Sequence, residues 1–237
     1  MRELRRGGRQ LALDLAAAPS FAEEDFLVGP SNEAAYCALE AWPDWSHPVL
    51  RLEGPRGSGK SHLAAIWAAR AGAVRLAGGE VSDVRVPTLA DAPALLIEDA
   101  DRGLPEEAAF FHLLNLARER GIGTVITASA PPDAWGLATP DLVSRLRLAP
   151  CARLSAPDDA LFKAVLVKLF VERQLVVDTS VVDYLALRLE RSLAAAADAV
   201  AALDADALAQ KRRITRPMAA DYVARITGEG DEAADDA

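Results

Sequence analysis

The stretch Gly54-Pro55-Arg56-Gly57-Ser58-Gly59-Lys60-Ser61 limits the fold of this chain more than any other. It is a complete G-x-x-x-x-G-K-[ST] phosphate loop. The apolar run Val49-Leu50-Arg51-Leu52 precedes it, and His62-Leu63-Ala64-Ala65-Ile66-Trp67-Ala68-Ala69 follows with helical character. A parallel α/β sheet supplies that strand–loop–helix context. The glycines let backbone N–H groups curl around a phosphate, and the positive end of the helix dipole adds to the attraction. Lys60 is placed to reach the β- and γ-phosphates, and the Ser61 hydroxyl to bind Mg²⁺. His62 completes the cofactor-binding run. The chain is therefore expected to bind a nucleoside di- or triphosphate.

Composition narrows the class further. With 237 residues and 51% hydrophobic content, the chain can hold one large or two modest domains around buried cores. A net charge of −9 argues against a protein that coats nucleic acid. Lys211-Arg212-Arg213 leaves room for a local basic patch. Cys37 and Cys151 are too few for a disulfide framework, so reduced thiols in the cytoplasm are expected. His47, His62 and His112 are scattered and form no ligand set. No run is long and uncharged enough to span a bilayer. The arginine-rich start resembles a signal peptide only superficially, because Asp14 interrupts a very short apolar region.

The chain divides into four stretches. Residues 1–19 form a flexible N-terminal peptide and 20–155 an α/β nucleotide-binding domain. Residues 156–227 form an all-α lid, and 228–237 an acidic, disordered tail. Strands are expected at Val49–Leu52, Ala73–Leu76, Ala94–Ile97, Thr124–Ala128 and near Ala152–Leu154. In the first domain, helices are expected at Ser31–Ala41, Lys60–Arg70, Glu106–Arg120 and Ala138–Leu146. Strand signals then vanish. Four helical patterns follow, at Asp158–Arg173, Thr179–Leu189, Leu193–Gln210 and Arg216–Ile226.

The run Ala94-Leu95-Leu96-Ile97-Glu98-Asp99-Ala100-Asp101 has the form of the second acidic motif of phosphate-loop ATPases, a buried strand delivering carboxylates at its C-terminal end. Glu98 is the expected Mg²⁺ ligand and Asp99 the group that polarises the attacking water. Asp followed by Glu or Asp is the commoner order. A longer first acid and a shorter second displace the water by about an ångström, enough to cost roughly 10²-fold in rate. Binding with slow turnover is the expectation. Thr127 and Ser129, at the end of the next buried strand, are both candidates for sensing the γ-phosphate. Arg145 lies on the helix after that strand and is expected to reach a neighbouring subunit's site, with Arg147 as the alternative. Such an arginine in trans is worth roughly 10³–10⁵ in rate. Arg191 opens a lid helix and is placed to reach back to the phosphates.

With these pieces in order, the chain resembles the AAA+ ATPase region of the bacterial replication initiator DnaA, and most closely the Hda/HdaA-type regulators within that group. Phe26-Leu27-Val28-Gly29-Pro30-Ser31-Asn32 is similar to the F-V-x-G-x-x-N segment that packs on adenine, which implies Val28 and Asn32 as nucleotide contacts. Gly59-Lys60-Ser61-His62-Leu63 matches the G-K-[ST]-H-L run. Ser144-Arg145 falls at the arginine finger, and Arg191-Ser192-Leu193 at the sensor-2 arginine. The chain departs from the initiator in the short segment Gly78 to Pro93 and in the lack of a helix-turn-helix module after Ile226.

The N-terminal run Gln10-Leu11-Ala12-Leu13-Asp14-Leu15 is similar to the Q-L-x-L-x-L motif with which Hda proteins bind the sliding clamp. Gln10, Leu11, Leu13 and Leu15 are the implied clamp contacts, with Gln10 satisfying polar groups and the leucines filling an apolar groove. The resemblance implies a regulator that docks on the DNA polymerase sliding clamp (β subunit) and stimulates hydrolysis of DnaA-bound ATP. It touches DNA only indirectly, uses ADP or ATP with Mg²⁺ as a switch, and leaves room for a homodimer. Its own ATPase activity is expected to be weak. The alternative is a helicase loader or DNA-remodelling ATPase. Acidic balance, the short segment and the Glu98-Asp99 pair all speak against it.

Overall fold

A computed structural model describes residues 25–228. Gln10, Leu11, Leu13, Leu15 and the acidic tail beyond Gly228 lie outside these residues. Five parallel strands, β1 (Val49–Glu53), β2 (Val74–Ala77), β3 (Ala94–Glu98), β4 (Gly123–Ala128) and β5 (Cys151–Arg153), form one sheet in the order β2-β3-β4-β1-β5. The three strands of the centre, β3, β4 and β1, are buried on both faces, as parallel strands covered by helices must be.

Alternation along the strands divides the core in two. Leu50 and Leu52 of β1, Leu96 of β3 and Val125 of β4 face α1 (Glu33–Glu40) and α2 (Lys60–Ala71), around the fully buried Trp67. Val49, Leu95, Ile97 and Ile126 point the other way. They meet Phe110 and Leu113 of α3 (Glu107–Arg120) and Leu142 and Leu146 of α4 (Pro140–Leu148). Helix α4 starts two residues later than the pattern predicts. Pro140 occupies its first turn, and a residue that precedes proline avoids helical backbone.

Between β2 and β3 the chain forms only short 3₁₀ turns, Gly78–Glu80 and Val86–Leu89. After β5 come α5 (Asp159–Glu172), α6 (Thr179–Arg188), α7 (Leu193–Gln210) and α8 (Arg216–Thr227), packed around their own core of Phe162, Leu166, Leu185, Val200 and Leu203. Side-chain caps start three of them: Asp158, Asp178 and Ser192 accept from Leu161, Ser180 and Ala195 amides. No helix among the described residues is long and apolar enough to cross a membrane.

Candidate nucleotide site and partner face

The phosphate loop joins β1 to α2 at the C-terminal edge of the sheet, where open α/β sheets bind ligands. Gly57 and Gly59 adopt left-handed backbone, φ 72° and 96°. A Cβ on Gly57 would collide with Ser192 Oγ of the helical module, so conformation and space both require glycine there. Lys60, buried in the first turn of α2, donates from Nζ to the carbonyls of Gly54 (2.6 Å) and Pro55 (2.9 Å). Burial holds the Lys60 pKa below the ordinary lysine value, while Asp101 and then Asp99 oppose that shift. Ser58 Oγ is buried with no hydrogen-bond partner. An orphaned hydroxyl inside a glycine cradle, beside a buried ammonium, fits a polyphosphate whose oxygens supply the missing acceptors. Arg56 and Ser61 of the loop are exposed.

Phe26 borders this loop. Its Cε2 lies 3.6 Å from where a Gly59 Cβ would be, its ring stacks on Tyr36 (6.0 Å, 11°) and meets His62 edge-on at 5.3 Å. Asn32 is buried and its amide is committed to the backbone. Its Oδ1 accepts from the Gly29 N–H (2.8 Å), and its Nδ2 donates to the Leu27 carbonyl (2.9 Å). Asn32 therefore shapes the 27–29 loop, and Val28, 47% exposed, is the apolar surface that this loop presents.

The acidic motif is arranged unlike a simple pair. Glu98 accepts from the Arg75 guanidinium at 3.0 Å, across the β2–β3 edge. Asp99 sits in left-handed backbone (φ 52°), donates its N–H to Thr127 Oγ1 (2.9 Å) and pairs with Arg102 at 3.1 Å. Asp101, to which the sequence motif assigns no role, accepts the Ser129 N–H on Oδ2 at 2.8 Å. Its Oδ1 is buried and unpartnered, and it is the carboxylate that acts most strongly on Lys60. Its signal in the sequence is a third acid in Glu98-Asp99-Ala100-Asp101, one more than the motif uses. Among the described residues no three His, Cys, Asp or Glu side chains gather into a metal cage. A Mg²⁺ here would be held as the ion usually is beside nucleotides, by one or two protein oxygens, phosphate oxygens and water. Glu98, Asp101 and Ser61 are the oxygen donors in question.

Thr127 is fully buried and spends its hydroxyl on Asp99, whereas Ser129 lines a cavity of about 330 Å³ with Gly54, Pro55, Arg153 and Ser155. Glu53 forms the floor. It is ion-paired to the buried Arg51 two residues earlier and lies 3.4 Å from Arg153. Burial and the neighbouring Glu53 carboxylate push the Cys151 thiol up to about 11. The two charges inside the apolar β1 run are the visible trace of this polar cluster.

The helical module touches the loop directly. The Leu193 N–H, at the start of α7, donates to the Gly57 carbonyl at 2.7 Å, beside the buried Ser192 cap. Arg191 immediately precedes this contact but turns its guanidinium to Asp159 of α5, at 2.6 Å.

Arg145 belongs to another face. On α4, its guanidinium lies 4.9 Å above the Phe111 ring and donates to Asn115 Oδ1, both on α3. It borders a groove of about 290 Å³ with His47, Leu114, Arg118 and Leu148. Arg147 is paired with Asp133. Arg145 thus makes a charge-assisted hydrogen bond to an uncharged amide and a ring contact, so its charge is not neutralised, whereas Arg147 is neutralised by an exposed ion pair.

Comparison with known proteins agrees with this architecture. Residues 159–222 match the family described as Hda, lid domain. Domain III of the Thermotoga maritima replication initiation protein DnaA has the same fold, at TM-score 0.74 and 22% identity over 85% of this chain and 95% of that one. AMPPCP-bound DnaA from Aquifex aeolicus follows at TM-score 0.67 and 19% identity, over 79% and 66% of the two chains. RuvB of Thermotoga maritima, a Holliday junction branch migration motor, matches at TM-score 0.63 and 17% identity, over 86% and 69%. No curated protein sequence matches significantly. The described residues thus share the fold of DnaA domain III, and residues 159–222 within them match the Hda lid family.

Proposed function

We propose that this protein is a cytoplasmic regulator of replication initiation, which docks on the DNA polymerase sliding clamp and stimulates hydrolysis of ATP bound to DnaA. The match of the lid to the Hda lid family carries this reading. Its own adenine nucleotide, ADP or ATP, occupies the cradle of Gly54 to Ser61, with Lys60 against the phosphates and Val28 toward the base. The Leu193 N–H bond to the Gly57 carbonyl supports a switch role for that nucleotide, because it links the lid to the loop that would hold the phosphates. Arg145 serves the partner's site. Its guanidinium neutralises charge that develops on the transferring phosphoryl oxygens of DnaA-bound ATP. Chemistry in the chain's own site is secondary, since Glu98 and Asp99 are both engaged by arginines.

Clamp docking falls to Gln10, Leu11, Leu13 and Leu15. A pull-down with immobilised sliding clamp tests it, comparing the parent chain with Gln10→Ala. The parent is expected to be retained and the variant lost, with ADP affinity the same in both. Retention of Gln10→Ala would exclude this peptide as the clamp contact and favour a loader or remodelling ATPase.

A further inference from the structure

We propose that Asp101, not Glu98, is the carboxylate of this chain that serves Mg²⁺ in the nucleotide site. The inference rests on the phosphate loop binding a nucleotide. The three acids at and just after the end of β3 differ in their partners. Glu98 stands where the first motif acid is expected, yet it is held sideways by Arg75 at 3.0 Å on the neighbouring strand. Asp99 is turned by its left-handed backbone and paired with Arg102. Both negative charges are already compensated.

Asp101 is the exception. It lies in the 3₁₀ turn that follows β3, where the Ser129 N–H at the end of β4 fixes one oxygen. The second oxygen is buried and has no donor. A carboxylate oxygen shielded from water and left without a donor is costly, and proteins rarely retain one without a partner that arrives later. Donors of two kinds are at hand in a nucleotide site, a cation and the water bound to it. Mg²⁺ keeps several waters and takes only one or two carboxylates, so a single fixed carboxylate oxygen is sufficient. Ser129, which holds Asp101, lines one cavity with Gly54 and Pro55, whose carbonyls accept from Lys60, so Asp101 stands next to the phosphate loop. Its bond to the Ser129 amide ties the cation to the candidate γ-phosphate sensor. Asp101 is in this sense a positioning residue as well as a ligand to the hydrated ion.

The test is titration of the full chain with a fluorescent ADP analogue across a Mg²⁺ series, for the parent, Asp101→Asn, Asp101→Glu and Glu98→Gln. Electron paramagnetic resonance of Mn²⁺ in place of Mg²⁺ counts bound metal directly. Asp101→Asn keeps an oxygen for the Ser129 N–H and loses only charge. It is expected to keep or strengthen Mg²⁺-free ADP binding, because a negative charge beside the phosphates is removed, while raising the Mg²⁺ concentration needed by about tenfold or more, the order expected for loss of a metal-site partner. Asp101→Glu should recover part of that loss, and Glu98→Gln should shift it less than about twofold. Loss of the Mg²⁺ response in Glu98→Gln, its retention in Asp101→Asn, or a parent indifferent to Mg²⁺ would each overturn the proposal. A parent that binds no ADP at any Mg²⁺ concentration would instead refute the phosphate-loop reading beneath it.

Discussion

Gly57 is where one backbone atom connects the nucleotide loop with the lid. Its φ of 72° is unfavourable for any residue with a Cβ, and that Cβ would strike Ser192 Oγ. Gly57→Ala is therefore expected to destabilise the fold by about 1–3 kcal/mol and to weaken ADP binding, because the strain falls on the loop itself. Urea denaturation with and without ADP measures both effects. The two cysteines differ in their surroundings. Cys37 is exposed, whereas the Cys151 thiol is pushed to about 11 by burial and Glu53. In the unfolded chain the thiol ionises near its ordinary value and in the folded chain only near 11. Its contribution to stability therefore falls as pH rises between those values. Near pH 8 the Cys37→Ser variant should be alkylated far more slowly than Cys151→Ser, which iodoacetamide labelling with mass spectrometry would read. Equal rates would contradict the buried, carboxylate-flanked placement.

Residues whose chemistry is set by their neighbours along the chain are legible in the sequence itself. Gly54 to Ser61 are an example, because the curl of the loop needs only its own glycines. Asp101 and Arg153 are not, because their meaning comes from groups 28 and 100 residues away, the Ser129 amide and Glu53. Nor does the sequence reveal that Asn32 spends its amide on Gly29 and Leu27, or that Arg191 turns to Asp159.

At the scale of elements, periodicity carries most of the information. The strands β3 and β4 read as largely apolar runs because both faces are covered, β1 reads so apart from its paired Arg51 and Glu53, and the lid helices read as such because their apolar positions recur with helical spacing. Element ends are less legible, since caps and proline decide them, as at Thr139-Pro140. Asp158 is the cap on which the first lid helix depends, its Oδ1 accepting the Leu161 N–H at 2.9 Å. Asp158→Ala should cost about 1 kcal/mol, the usual value of such a cap. The chemical denaturation midpoint should fall with an unchanged slope. A loss of several kcal/mol would mean that Asp158 does more than cap α5.

At the scale of the whole molecule, two surfaces lie at different places on one sheet. The nucleotide cradle and lid sit at the ends of the strands, while Arg145 is held on the α3–α4 face by Phe111 and Asn115. In the proposed function, one nucleotide acts as an internal switch while the outer face completes another protein's site. In this proposal Arg145 acts in trans. The most direct measurement is the rate at which DnaA loses bound ATP in the presence of clamp-loaded DNA, with the parent chain, Arg145→Ala and Arg145→Lys. Arg145→Ala should fall to the rate of DnaA alone while still binding ADP and the clamp. Arg145→Lys should recover little, because a point charge does not reproduce the planar guanidinium fork. A fully active Arg145→Ala protein would contradict the account.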